Sequence, residues 1–112
     1  MLEAVQFVGA GSKLQWVLDS NGGLVWVCGC VELFFGESQE QLLRAGVDRL
    51  IHCDDWQQVA ETMAPLIAGD VGKVFGRNRQ LGADGQWYSV GWCLIREGDE
   101  IHGGGLILSV SA

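Results

Sequence analysis

The sequence predicts an α+β domain, a five-stranded antiparallel sheet with short helices and one longer helix on one face. Three observations lead there. Leu14, Trp16 and Leu18 alternate with their neighbours near the start, and Tyr88, Val90, Trp92 and Leu94 share one face of a later strand. Turn-forming pairs, Asn21-Gly22 and Asp84-Gly85, join segments of this kind. Between the two blocks the apolar spacing becomes that of helices.

Residues 1–12 carry Leu2, Ala4, Val5, Phe7 and Val8 at the spacing of a short amphipathic helix ended by glycine. Such a helix is too short to be stable alone and must dock. It is read as an N-terminal flanking helix and dimer contact, with residues 13–112 as the single domain. "LQWVLDSNGGLVWVC" reads as a hairpin whose second strand is apolar throughout. Phe34-Phe35-Gly36 closes a short helix with glycine as the stop. Ser38 followed by Gln41 is a capping-box pattern that opens a second helix over residues 39–44. Asp54 or Asp55 starts a longer helix running towards Ala68-Gly69. Val59, Met63 and Leu66 lie on one face of it, and Pro65 is set to kink or shorten it. The remainder is β, with strands over residues 71–81, 87–95 and 104–110, and residues 96–103 read as a turn.

A chain of 112 residues holds one core and not two. About half of it is hydrophobic, which excludes a disordered chain. The charge balance of 7 basic to 14 acidic residues, net −7, argues against nucleic-acid binding, which needs several Lys and Arg contacts to phosphate. The start "MLEAVQFVGAGSK" does not have the form of a signal peptide, and no apolar run approaches a membrane span. The expected setting is the cytoplasm, with Cys28, Cys30, Cys53 and Cys93 as reduced thiols.

Several pieces in order resemble one family. Trp26-Val27 precedes a short helix closing in "LFFG", similar to the family's "LFG". "ESQEQLL" is similar to its "YSxEEL" helix, and "LIHCDD" to "LIHPDD", the entry to its long F helix. "RNRQLGADGQW" is similar to its "RxxxxDG" hairpin. On these residues the chain resembles the PAS sensory domain with its C-terminal PAC half, over about residues 13–111. It departs from the family at Cys28-Gly29, where many members have Asn-Pro, and at Cys53, where they have proline. Its end, "SVSA", stands where many carry a D-I-T relay motif.

The resemblance implies the PAS fold and a sensory, signal-transduction role. Such a domain binds a small ligand or a protein partner and regulates an effector in the same or another chain. Histidine kinases of two-component systems and diguanylate cyclases are the types expected. The alternative it implies is a ligand-free dimerisation or protein-interaction module; a homodimer is expected in either case. The family's cavity lies between the concave sheet face and the F helix. Trp16, Trp26, Phe34, Trp56, Met63, Phe75 and Trp92 are the candidates for lining it, with Trp56 the foremost. Arg77 and Arg79 serve either to anchor an acidic ligand or as solvent-exposed strand residues.

The cofactor is left unknown. Haem is not expected, since residues 56–68 lack the F-helix histidine that the family's haem binders use. Covalent flavin is not expected either, because "CGCVELFF" lacks the asparagine, arginine and glutamine of the light-sensing "NCRFLQ" motif. The cluster His52-Cys53-Asp54-Asp55 reads as a helix cap rather than a metal site, aspartate being among the commonest N-caps. Cys28-Gly29-Cys30 does not have the spacing of a zinc or redox motif and reads as packing. No metal site and no catalytic residue is expected, because no serine has a histidine placed by a hydrolase motif and "GGG" at 103–105 lacks a phosphate-loop lysine.

Overall fold

Strand β1 (Lys13–Asp19) turns directly into β2 (Leu24–Val27). The Asp19 carboxylate holds the turn, its Oδ1 accepting from the backbone N–H groups of Asn21 and Gly23, both at 2.9 Å. The computed structural model describes residues 13–111, so the helix expected over residues 1–12 lies outside the described residues. Pairing of β1 with β2 runs Trp16 to Val27, Val17 to Trp26 and Leu18 to Leu24, which leaves Val25 as a bulge.

Helix α1 (Gly29–Phe35) stops at Gly36, which takes the left-handed conformation at φ 71°. Helix α2 (Gln39–Ala45) opens with the predicted capping box: Gln41 N–H donates to Ser38 Oγ, and Ser38 N–H to the Gln41 side chain. Two 3-10 turns, Asp48–Leu50 and Cys53–Asp55, lead into α3 (Trp56–Ala68). Pro65 does not shorten α3, which runs on to Ala68 and ends at Gly69.

Strands β3 (Lys73–Leu81), β4 (Trp87–Glu97) and β5 (Glu100–Val110) form an antiparallel meander. The order across the sheet is β2-β1-β5-β4-β3. The β4–β5 turn is tighter than the sequence predicts. Gly98, at φ 64°, begins a two-residue turn that lets Glu97 pair with Glu100, so residues 100–103 are strand. The apparent strand-breaker, the glycine run, lies inside β5.

The buried face of the sheet carries Leu14, Leu18, Val90, Leu94, Ile101 and Ile107. Val31, Phe34, Leu42 and Leu66 complete the core from the helices. The opposite face is uncovered among the described residues, with Phe75, Leu106 and Leu108 exposed. No helix among them is long and apolar enough to cross a membrane.

Candidate functional site

Two tryptophans lie against the helix-facing side of the sheet, each over a glycine directly opposite it on the next strand. Trp16 of β1 pairs with Gly103 of β5, and Trp92 of β4 with Gly76 of β3. A methyl group at Gly103 would sit 2.3 Å from Trp16 ring atoms, and one at Gly76 would sit 2.2 Å from those of Trp92. Only hydrogen fits under these rings. Gly105 continues the recess, with Trp16 ring atoms 3.2 Å from the place of its missing Cβ.

The indoles form the floor of a cavity of about 130 Å³. Val59 and Met63 of α3 form one wall, while Val31 and Phe35 of α1 form another. Val47 and Ile51 close it beside the 3-10 turns. The lining is apolar except for Asn78 and Gln80 of β3 and the exposed Asp48. Asn78 is the one buried polar residue among those described, and its Oδ1 accepts from Gln80 Nε2 at 2.9 Å.

No protein-family model and no curated protein matches the chain. Solved structures do match. The PAS domain of the RpfR quorum-sensing receptor of Cronobacter turicensis, in complex with BDSF, superposes with a TM-score of 0.75. Its identity is 10%, over 91% of this chain and 99% of that one. A domain of a sensory box sensor histidine kinase/response regulator from Geobacter sulfurreducens gives 0.70 at 14% identity, covering 92% and 90% of the two chains. The Drosophila melanogaster Cycle PAS-B domain with bound ethylene glycol gives 0.70 at 13% identity, covering 85% and 99%. The fold is the PAS fold.

Of the eight residues singled out from the sequence, this PAS fold brings Trp16, Met63 and Trp92 to the cavity. The other five lie elsewhere. Trp26 is exposed on the outer side, because the bulge at Val25 turns both Leu24 and Val27 inward. Phe34 is fully buried, packed on Phe35 and edge-on to Tyr88 with centroids 5.7 Å apart, and Phe35 lines the cavity in its place. Trp56 is half exposed. Its Nε1 donates to the carbonyls of Asp48 (3.0 Å) and Ile51 (2.9 Å), tying the helix start to the preceding loop. Phe75 is 71% exposed on the outer face with Lys73 over its ring. Arg77 is exposed and donates from Nε to Ser89 Oγ at 2.9 Å, so it anchors nothing within the cavity.

Sequence reasoning missed Asn78, Gln80 and Gly76; the run Gly103 to Gly105 reads from the sequence as a weakened strand or a close backbone approach, and Trp16 makes that approach. A signal for Asn78 exists: it stands between Arg77 and Arg79, so strand alternation puts it opposite two cations. Nothing local marks Gly76.

In the cluster His52-Cys53-Asp54-Asp55 the cap is not the expected aspartate. His52 supplies the cap, its Nδ1 accepting from Asp54 N–H at 3.2 Å, while its ring packs on Trp87. His52, Cys53 and Asp54 hold their donor atoms within 4.8 Å of one another, with the Nδ1 lone pair of His52 engaged by Asp54 N–H. Asp55 turns away from the helix to the edge of β3. It accepts from the backbone N–H of Arg79 (2.8 Å) and from the guanidinium Nε (3.1 Å) and Nη2 (2.8 Å). His52 N–H donates to Arg79 O and Gln58 Nε2 to Arg77 O, so residues 52–58 cover part of a sheet edge that would otherwise be unpaired. The far end of α3 is tied too, with Arg96 Nη1 donating to the carbonyls of Leu66 (3.1 Å) and Ile67 (3.2 Å).

The side-chain hydrogen bonds from Arg79 hold the Asp55 carboxyl below its ordinary range, against the opposing effect of burial. A carboxylate with a lowered folded pKa adds stability above its unfolded value, near pH 4, and loses it as pH falls through the folded value. Asp55→Asn is therefore expected to lower stability at pH 7 by about 1–2 kcal/mol, allowing for the part-exposed guanidinium. The gap from wild type should shrink as pH falls below about 4. Urea unfolding at both pH values measures it, and an undiminished gap in acid would contradict the clamp.

Proposed function

We propose that this PAS-fold chain is a sensory domain that binds a small ligand in the cavity under α3 and regulates an effector lying elsewhere, of histidine kinase or diguanylate cyclase type. The observation that carries this reading is an apolar cavity containing a buried, incompletely bonded amide, Asn78. The neighbours supply the context: one comes from a sensor histidine kinase, and another, the RpfR receptor domain, is in complex with BDSF. Trp16, Met63 and Trp92 carry over from the sequence reading as ligand contacts, joined by Asn78. A binding role rather than catalysis also fits the two histidines. His52 caps a turn, and His102 lies 3.2 Å from Glu100 on the surface.

The second reading is a dimerisation module, in which a second copy of this chain covers the outer sheet face. Favouring it are Phe75, Leu106 and Leu108, all exposed on that side of the sheet, an apolar group of the kind that marks interaction surfaces. Native mass spectrometry of freshly purified protein tests both readings at once. The expected result is one small organic molecule per chain. A dimer that carries none, and takes up none from a panel of small one-ring compounds, would overturn the sensory reading in favour of the second.

A further inference from the structure

We infer that the cavity takes a small uncharged molecule, about one ring in size, which presents a hydrogen-bond acceptor to the side-chain amide of Asn78. The inference rests on the ligand-binding reading above and specifies its chemistry.

Size comes first. An apolar cavity of about 150 Å³ accommodates one benzene molecule. The present cavity, about 130 Å³, has room for one ring or a short chain. Polarity comes next. Asn78 is 4% exposed, and its Oδ1 is engaged by Gln80, while its Nδ2 has no acceptor among the described residues. None of the unpartnered side-chain N or O atoms among them is sealed from solvent, so this amide faces the cavity that Asn78 lines. The indole N–H groups of Trp16 and Trp92 also have no acceptor there, and an indole can only donate. Against these three donors the lining sets, among the described residues, one unpartnered amide acceptor, Gln80 Oε1, so the balance favours an acceptor on the ligand.

Charge narrows the class further. No Lys, Arg or His lines the cavity, and its one charged lining residue is the acid Asp48. An anion would lose its water without gaining a countercharge. A carbonyl on an otherwise apolar body meets all three conditions: size, acceptor and neutrality.

Four one-ring probes of similar size separate the possibilities: acetophenone (acceptor), cumene (hydrocarbon), N-methylaniline (donor) and benzoate (anion). Binding is followed at pH 7 through the ¹⁵N–¹H signals of the Trp16 and Trp92 indoles and the Asn78 amide. Acetophenone is expected to bind about fivefold more tightly than cumene, with N-methylaniline and benzoate weaker still. In Asn78→Leu the preference for acetophenone should vanish while cumene still binds. If cumene equals acetophenone, or if the donor or the anion binds best, the inference fails but the pocket reading stands. If none of the four shifts the indole signals, the pocket reading itself fails. Should Asn78→Leu not fold, the ranking on the wild-type chain still decides.

Discussion

Replacing Phe34 with alanine is expected to cost about 3–5 kcal/mol of unfolding free energy, the largest single-residue loss in the chain. The ring is completely buried, with Phe35 at 5.0 Å between centroids and the edge of Tyr88 at 5.7 Å. Truncation removes apolar burial and leaves a hole where the surroundings relax only in part. Those surroundings are anchored. The Phe34 carbonyl accepts from Ala83 N–H at 2.7 Å, and the Tyr88 hydroxyl donates to Asp84. Burial, with that hydrogen bond adding to it, pushes the Tyr88 phenol up to about 12. Because Phe34 does not line the cavity, ligand affinity should persist in the molecules that remain folded. Denaturant unfolding followed by tryptophan fluorescence gives the number. A domain of this size has only about 5–15 kcal/mol to lose, so Phe34→Leu, which leaves a smaller hole and is expected to cost less than the alanine variant, serves where that variant does not fold. A loss below about 1 kcal/mol for Phe34→Ala would contradict the packing described.

Gly103→Ala is expected to abolish ligand binding and to cost about 1–3 kcal/mol through overpacking. The new methyl would lie 2.3 Å from Cε2 and Nε1 of Trp16, a distance no real contact tolerates. The indole has strand backbone beneath it and cavity above it, so it can move only into the space a ligand would use. Gly76→Ala should act in the same way on Trp92, where the approach is 2.2 Å. The neighbouring residue provides the control. A methyl at Gly104 meets nothing nearer than a carbonyl oxygen at 3.9 Å, so Gly104→Ala should stay within about 0.5 kcal/mol of wild type and keep its affinity. Isothermal titration with acetophenone, beside urea unfolding of each variant, reads both quantities. Equal affinities for Gly103→Ala and Gly104→Ala would refute the shelf.

The contrast between Gly103 and Gly104 shows where a sequence stops being legible. Three glycines in a row read as a weakened strand or a close backbone approach, with no sign of what approaches. Two of them are strand residues whose missing side chains are matched to one tryptophan nearly ninety positions earlier. Pairings at such distance leave no local mark. The capping box at Ser38 and Gln41, by contrast, is contained within four residues and is legible directly. Asp55 lies between these cases. Its place at a helix start is local, but its carboxylate goes to Arg79, 24 positions away, and that partner outcompetes the free N–H groups of the helix. Trp26 fails for a third reason: an all-apolar strand has no alternation to read, and the bulge at Val25 shifts the facing side by one residue.

Helix α3 is fastened at its start through Asp55 to Arg79 and at its end through Arg96, while Val59 and Met63 in its middle meet the cavity. Mechanically it is a beam clamped at both supports and loaded at mid-span. A ligand pressing on Val59 and Met63 cannot slide such a helix along the sheet; it bows the helix, and the reaction forces appear at the two arginines. Those arginines belong to β3 and β4, adjacent strands on one side of the sheet. Cavity occupancy would thus be felt at α3 as torsion between two neighbouring strands.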